Sequence, residues 1–290
     1  MDETKTIKKF TFSKQGKKEE GETETLNEDC VYLQDDLGFV LDGATGLTND
    51  NVTPEKSDAR WFTREFTRFL IENLGDRTQT VQSILKKGLN EVNTKFDYYC
   101  GTKEIKIRPS STIALFRVNG NEVEFFVLGD CVFLIRNNNN KIKTLTTNEL
   151  SRLDAQNIKI LVKKAKENNI DTVDAYSLII DEQIRLRLSQ NTKNGYWILS
   201  NSTEAIDNGL YVKIKKDEIK QIIAMSDGFS QIFDLFKLYT AKEFADQIQG
   251  GKPIEELYME LYNAQEQDST CNNYPRFKLR DDTTILNIEF

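Results

Sequence analysis

Leu37-Gly38-Phe39-Val40-Leu41-Asp42-Gly43-Ala44-Thr45-Gly46 is the stretch that decides how this chain is read. Phe39 to Leu41 is an apolar run of strand type. It ends in an aspartate, and a glycine follows at once. A buried strand with a carboxylate at its C-terminal tip and a pliant turn behind it is a common way to hold a hard cation. The carboxylate supplies charge, and glycine lets its own carbonyl approach the same ion. Asp-Gly also marks ordinary turns, so the stretch acquires meaning only from what surrounds it.

Moving outward, the same motif returns. Ile219 to Met225 reads as a strand and runs into Ser226-Asp227-Gly228. Asp281 stands just before Thr283 to Phe290, an alternating strand. Glu28-Asp29 lies beside the strand from Asp29 to Gln34, and Asp130 follows Gly129 between two further strands. Carboxylates crowded into one cleft repel each other. A hard divalent cation such as Mg2+ or Mn2+ resolves the repulsion because it prefers oxygen ligands. Two such ions about 4 Å apart can acidify a shared water and clamp an in-line displacement at phosphorus.

The remaining pattern is a meander of antiparallel strands with helices between. Lys8 to Ser13 reads as an edge strand and Lys14 to Glu24 as a charged loop. Asp29 to Gln34 and Gly38 to Asp42 pair around Asp35-Asp36, and Thr45 to Thr53 is a polar loop. Pro54 suits the first turn of a helix. Phe62, Phe66, Phe69, Leu70 and Leu74 follow helical spacing, as do Val81, Leu85, Leu89, Val92, Phe96 and Tyr99. Thr112 to Val118 and Val123 to Leu128 flank the turn Asn119-Gly120-Asn121. Strands at Cys131 to Arg136 and through Leu145 follow. Thr147 to Asn194 is polar with a helical patch at Ile158 to Glu167, an insertion on the sheet. Tyr196 to Leu199 is a strand candidate. Phe229 to Lys237, Ala241 to Gln249 and Ile254 to Glu266 read as helices. The fold class expected is α+β: a central antiparallel β-sandwich flanked by antiparallel helix pairs. One domain over residues 1–290 is the simplest division, with the insertion at about 147–194.

Composition narrows the function. A net charge of −7 argues against nucleic acid and membrane surfaces, both of which want a basic face. No apolar run approaches the roughly 18 residues of a membrane span, and the polar start from Met1 to Gly21 lacks a signal peptide's apolar core. Cys30, Cys100, Cys131 and Cys271 are scattered without a CxxC pair, which favours free thiols in the cytoplasm. The chain has no histidine, so every histidine-based triad, proton shuttle or zinc site is excluded.

The order of the acidic sites resembles that of the type 2C metal-dependent protein phosphatases. The matching pieces are Asn27-Glu28-Asp29, Val40-Leu41-Asp42-Gly43, Ser110-Ser111-Thr112, Leu128-Gly129-Asp130-Cys131, Ala224-Met225-Ser226-Asp227-Gly228 and Arg280-Asp281-Asp282-Thr283-Thr284. Each is weak alone; six in order over Asn27 to Phe290 are a strong signal. The resemblance implies a dinuclear Mn2+ or Mg2+ site at one end of the sandwich. It puts Asp42 between both ions and the Gly43 carbonyl on one of them. Asp227 and Asp281 fall on the other, Glu28 and Asp29 hold metal-bound waters, and Asp130 helps hold a third, weaker ion. The insertion corresponds to the family's variable flap. The implied catalytic residues are Asp42, Glu28 and Asp29, and the implied partner is a phosphoprotein, the target of a serine/threonine kinase.

Three positions depart from that pattern. Asp42-Gly43 is followed by Ala44-Thr45-Gly46, without the histidine that protonates the leaving alcohol. Glu24 stands where many members have a phosphate-gripping arginine. Gln231 replaces a second aspartate after Ser-Asp-Gly, with Asp234 nearby but off register, and so puts the third ion in doubt. Arg117 and Arg280 are arginines without an assigned role, and Cys131 reads as a half-buried thiol. Two functions stay open: a metal-dependent phosphatase of reduced rate, or a weak or silent phosphatase-like module that binds a phosphoprotein or regulatory partner. A phosphatase acting on a small phosphorylated molecule is a third.

Overall fold

The computed structural model describes residues 8–16, 26–44, 46–47 and 51–290. Glu24, Thr45, and parts of the N-terminal run and of the Lys14–Glu24 and Thr45–Thr53 loops lie outside these residues. Among these residues, ten strands form two antiparallel sheets of five. They are β1 (Lys9–Lys14), β2 (Cys30–Leu33), β3 (Leu37–Gly43), β4 (Ser111–Asn119), β5 (Glu122–Leu128), β6 (Val132–Asn137), β7 (Ile142–Leu145), β8 (Leu210–Lys215), β9 (Ile219–Met225) and β10 (Thr283–Glu289). The sheet orders are β1-β10-β9-β6-β7 and β2-β3-β4-β5-β8.

Side-chain alternation explains how the sheets stack. On β3, Val40 points into the core between the sheets, while Phe39 and Leu41 point to the opposite face. On β4, Ala114 and Phe116 face the inter-sheet core and Ile113 and Leu115 the other side. Both faces are covered, so these strands read as continuous apolar runs instead of alternating ones. Helices α1 (Asp58–Asn73) and α2 (Val81–Cys100) cover one outer face. Phe62, Phe66, Leu85, Leu89 and Phe96 seal it against Leu41, Leu115 and Phe126. α6 (Asp227–Asp234), α7 (Ala241–Gln249) and α8 (Ile254–Gln267) cover the other, with Phe229, Phe244 and Leu257 packed on Ile223, Met225 and Ile285. The layers are therefore helix, sheet, sheet, helix, as the sequence predicts, with three helices on the second face where a pair was expected.

Local signals set the helix starts. The hydroxyl of Ser57 caps α1 by accepting the Arg60 N–H, and that of Thr80 caps α2 by accepting from Ser83. Pro54 consequently falls before α1 and not in its first turn. Thr240 and Glu243 form a capping box on α7. Tyr196 to Leu199 is not a strand; it touches the fold by isolated bridges, Gln190 to Tyr196 and Ser111 to Leu199. β8 went unread in the sequence because it is half-exposed and its apolar residues alternate with lysines only over Val212–Lys215.

The insertion holds α3 (Glu149–Asn168), a 3-10 turn at Asp174–Ile179 and α4 (Ile180–Leu188). α3 starts earlier than the patch at Ile158 because its first half is polar and largely exposed. Leu161, Ala165, Ala175 and Ile179 give this region a small core of its own, against Phe277. Asn272 ties it down by accepting from the Thr172 N–H at 2.9 Å and hydroxyl at 2.8 Å. A short helix, α5 (Glu204–Asp207), precedes β8.

One buried arginine matters for stability. Arg117 on β4 is fully buried. Its guanidinium meets Glu124 on β5 at 2.8 and 2.6 Å and donates to the carbonyls of Asp76 and Gln79, both at 3.0 Å. Burial alone would raise the Glu124 carboxyl. Hydrogen bonds from Tyr211 and Arg117 outweigh it and hold the carboxyl below its usual range.

Candidate metal centre and its pocket

Strand ends from both sheets deliver the acidic residues to one place. Asp42 and Gly43 close β3, in register with Thr112 and Ser111 of β4. β9 ends at Met225, and Asp227 opens α6. Asp281 lies two residues before the start of β10, and Asp130 lies between β5 and β6. The Ser226 N–H donates to the Thr284 carbonyl and its Oγ accepts from the Thr284 N–H, both at 3.0 Å, which pins the two loops together. Two glycines permit the approach. A Cβ on Gly228 would lie 2.0 Å from the Asp282 carbonyl oxygen, and one on Gly43 2.5 Å from that of Glu28.

Asp42, Gly43, Asp130, Asp227 and Asp281 line one cavity of about 390 Å³. The insertion closes it from the far side with Asp154 of α3, Tyr176, and Arg187 of α4, joined by Tyr196 and Lys278. Asp29 is buried beside this group, and its charge is felt by Asp42. Neither Asp29 carboxylate oxygen accepts a well-formed hydrogen bond, although the Thr284 and Ser226 hydroxyls lie close enough to moderate its pKa. Glu28 is turned away. Its carboxylate takes the Ser57 hydroxyl and lines a neighbouring cleft. Its N–H donates to Asp282 Oδ2 at 2.7 Å.

Burial, reinforced by neighbouring carboxylates, sets the electrostatics. It pushes Asp42 and Asp29 well above the usual carboxylate range, with Asp29, Asp227, Asp281 and Asp130 adding to the effect on Asp42 and Asp282 to that on Asp29. Asp130 is raised by burial and then by Asp227 and Asp154. Asp227 is pushed up to about 7 by burial and Asp281, against a hydrogen bond with Asp42. Asp154 is pushed up to about 6, with Arg187 opposing the burial. Lys278 is the local counter-charge. Its Nζ sits 2.6 Å from Asp281 Oδ1, and Asp281, Asp227 and Asp282 raise its pKa against its partial burial.

These shifts give a pH dependence. The folded carboxyls bind protons more tightly than the unfolded chain does, so their contribution to stability is largest below about pH 4. It is lost as pH rises through about 6 for Asp154 and about 7 for Asp227. Carboxyls held low, such as Asp76 at about 2, act oppositely and only in acid. The metal-free protein is expected to melt at a lower temperature at pH 8 than at pH 5.5, with Mn2+ removing most of the difference. A thermal melt across that range that is flat without metal would refute this.

The residues can be tested for fit to a cation. Among the described residues, no three acidic or cysteine side chains converge as a ready cage for a metal ion. Their chemistry nonetheless suits a hard divalent ion. The donors are carboxylate oxygens, two of them buried without a hydrogen bond, and the ammonium of Lys278 already answers the charge of Asp281. Lys278 and the Asp282 N–H both engage Oδ1 of Asp281, so an ion bound through that oxygen would have to displace Lys278.

The sequence reading did not single out Asp154, Tyr176, Arg187, Tyr196 or Lys278. Nothing local marks them; the segment that carries most of them was read only as a polar insertion corresponding to the family's variable flap. Arg117 and Arg280 do not line the cavity. Arg280 pairs with Glu266 and stacks 4.1 Å over Tyr262. Asp234 accepts from Ser230 Oγ and does not line it either. Cys131, read as half-buried, is fully buried, its Sγ 3.0 Å from Thr112 Oγ1.

The sequence profile of the protein phosphatase 2C family matches residues 26–252, and the chain belongs to that family. Solved bacterial phosphatases share the fold. The serine/threonine phosphatase PstP/Ppp of Mycobacterium tuberculosis is 12% identical, with 98% of each chain covered and a TM-score of 0.56. Stp1 of Staphylococcus aureus is 15% identical, covering 98% of this chain and 95% of that one, TM-score 0.52. The catalytic domain of PstP in complex with two manganese ions is 12% identical, covering 98% and 97%, TM-score 0.54. No curated protein sequence matches the chain significantly. All four cysteines are free thiols, and no helix among the described residues is long and apolar enough to cross a membrane.

Proposed function

We propose that this chain hydrolyses phosphoserine and phosphothreonine in proteins at a dinuclear Mn2+ or Mg2+ site. The observation that carries the reading is the meeting of Asp42, Asp130, Asp227 and Asp281 in one cavity, in a chain of the protein phosphatase 2C family. Two ions held there supply Lewis-acid charge and a water of lowered pKa. Asp42 and the Gly43 carbonyl, with Asp227 and Asp281, are the groups to hold them. Asp29 orients the surrounding water, Glu28 joins it only by leaving the Ser57 hydroxyl, and Asp130 serves a third, weaker position. The insertion walls the cavity off and limits stray water. With no histidine in the chain, the leaving alkoxide takes its proton from solvent. The partner is a cytoplasmic phosphoprotein, made by a serine/threonine kinase of opposing action.

The pairing of Lys278 with Asp281 favours a second reading, a phosphatase-like module that binds a phosphoprotein or regulatory partner without turnover. Hydrolysis of p-nitrophenyl phosphate and of a phosphothreonine peptide against Mn2+ and Mg2+ concentration separates the two. Saturable, metal-dependent turnover is expected. The peptide should lag the aryl ester, because a missing general acid costs about 10²–10⁴-fold unless the leaving group needs no proton. Calorimetric Mn2+ binding without turnover on either substrate would select the second reading.

A further inference from the structure

Arg187 and Lys278 are the two cations among the described residues that line the acidic cavity. Lys278 is engaged by Asp281. Arg187, in the last turn of α4, makes one long hydrogen bond of 3.3 Å, from Nη1 to the neutral Ser110 Oγ. No described carboxylate forms an ion pair with it. The same side chain also lines the neighbouring cleft of about 360 Å³, beside Lys56, Ser57 and Arg108. It therefore stands where the two spaces join.

Its position is fixed from behind. The Ser189 N–H bonds back to the carbonyls of Arg185 and Leu186. The Asn191 N–H donates to the Tyr196 carbonyl at 2.7 Å, and its side-chain oxygen accepts from the Ile198 N–H at 2.9 Å. Leu199 then exchanges backbone hydrogen bonds with Ser111 of β4, at 2.9 and 3.1 Å. The end of α4 is thus moored to the strand that carries Thr112 opposite Asp42. The helix end that carries the guanidinium is therefore fixed, so little backbone freedom is lost when it binds.

A phosphomonoester dianion entering a cavity walled by five aspartates needs a cationic partner at the entrance. A planar guanidinium offers parallel N–H donors matched to two phosphoryl oxygens. We infer that Arg187 grips the phosphoryl oxygens of the substrate. This rests on the phosphatase reading above and adds the residue that recognises the phosphate.

The test compares wild type, Arg187→Ala and Arg187→Lys, all Mn2+-loaded and checked for folding by thermal melt. Arg187→Ala is expected to raise KM for the phosphothreonine peptide about 10–100-fold, the scale of a charge-assisted hydrogen-bond pair. The inhibition constant of inorganic phosphate should rise by the same factor, with kcat within about threefold. Arg187→Lys should recover part of the loss, because an ammonium is a point charge without the fork. Unchanged KM and phosphate inhibition in Arg187→Ala would overturn the inference. If that variant does not fold, the lysine variant decides: a KM raised about 3–10-fold supports it, and wild-type values refute it. Wild type without any turnover would sink the phosphatase reading by itself. Calorimetry with inorganic phosphate then still judges Arg187, by whether Arg187→Ala loses phosphate binding or keeps it.

Discussion

Asp42→Asn is expected to cut metal-dependent turnover by about 10³-fold or more and at the same time to raise the melting temperature of the metal-free protein. The substitution keeps the shape of the side chain and deletes its charge. On the proposed function the first effect follows because Asp42 would be one of the carboxylates that hold the metal ions. Removal of a single preorganised group from an electrostatic site already costs on the order of 10²–10³-fold. The second effect follows from burial and the crowding of like charges. Asp42 is desolvated and faces Asp29, Asp227, Asp281 and Asp130, so its charged form works against folding when no cation is present. Relief of that repulsion should stabilise the metal-free chain by roughly 1–2 kcal/mol, the usual scale of the trade between activity and stability. Paired assays and melts with and without Mn2+ check both halves. A variant that melts lower than wild type without metal would refute the electrostatic account. One that keeps its turnover would refute the catalytic account.

Arg117→Ala should destabilise the protein by about 3–5 kcal/mol with no direct effect on the cavity, which Arg117 does not line. The loss leaves the Glu124 carboxylate buried against Tyr211 without its main counter-charge, and frees the carbonyls of Asp76 and Gln79. For a chain of this size the melting temperature should fall by on the order of 10 °C. A double variant, Arg117→Met with Glu124→Leu, should be far less harmful, because it removes both charges and restores apolar packing. Urea titrations of the three proteins would show the difference. Equal destabilisation by the single and double variants would mean that the arginine acts through its contacts with the α1–α2 loop and not through the pair.

The layered fold was readable because its signals are local. Val40 and Leu41, Phe62 and Phe66, or Asn119-Gly120 announce strand, helix and turn within a few residues, and the acidic positions fall at the tips of those strands. The far wall of the pocket was not readable. Arg187 and Asp154 lie on polar helices whose pattern resembles any solvated surface, and only folding of the insertion over β4 brings them to Asp42 and Asp227. Glu28 shows the converse. The family resemblance put it on metal-bound water, and here its carboxylate takes the hydroxyl of Ser57, a helix cap 29 positions along, and lines the next cleft. β8 was hidden because it is a short edge strand whose two-residue period is confined to Val212–Lys215, after the unbroken run Leu210-Tyr211-Val212.

The order of strands in the first sheet bears on how the protein is born. β10 is the latest of the described strands, yet it lies between β1 and β9, and β1, the earliest, pairs with β10 alone. A chain emerging from the ribosome must therefore keep β1 waiting through more than the next two hundred residues. Asp281, two residues before β10, reaches Asp42 and Asp227 only when that strand closes. On the proposed function, a nascent chain would then lack a finished cation site and could not act on phosphoproteins near the ribosome before synthesis passes β10. Such late closure of sequence-distant contacts also predicts slow folding, so Mn2+ binding would report the last step of maturation.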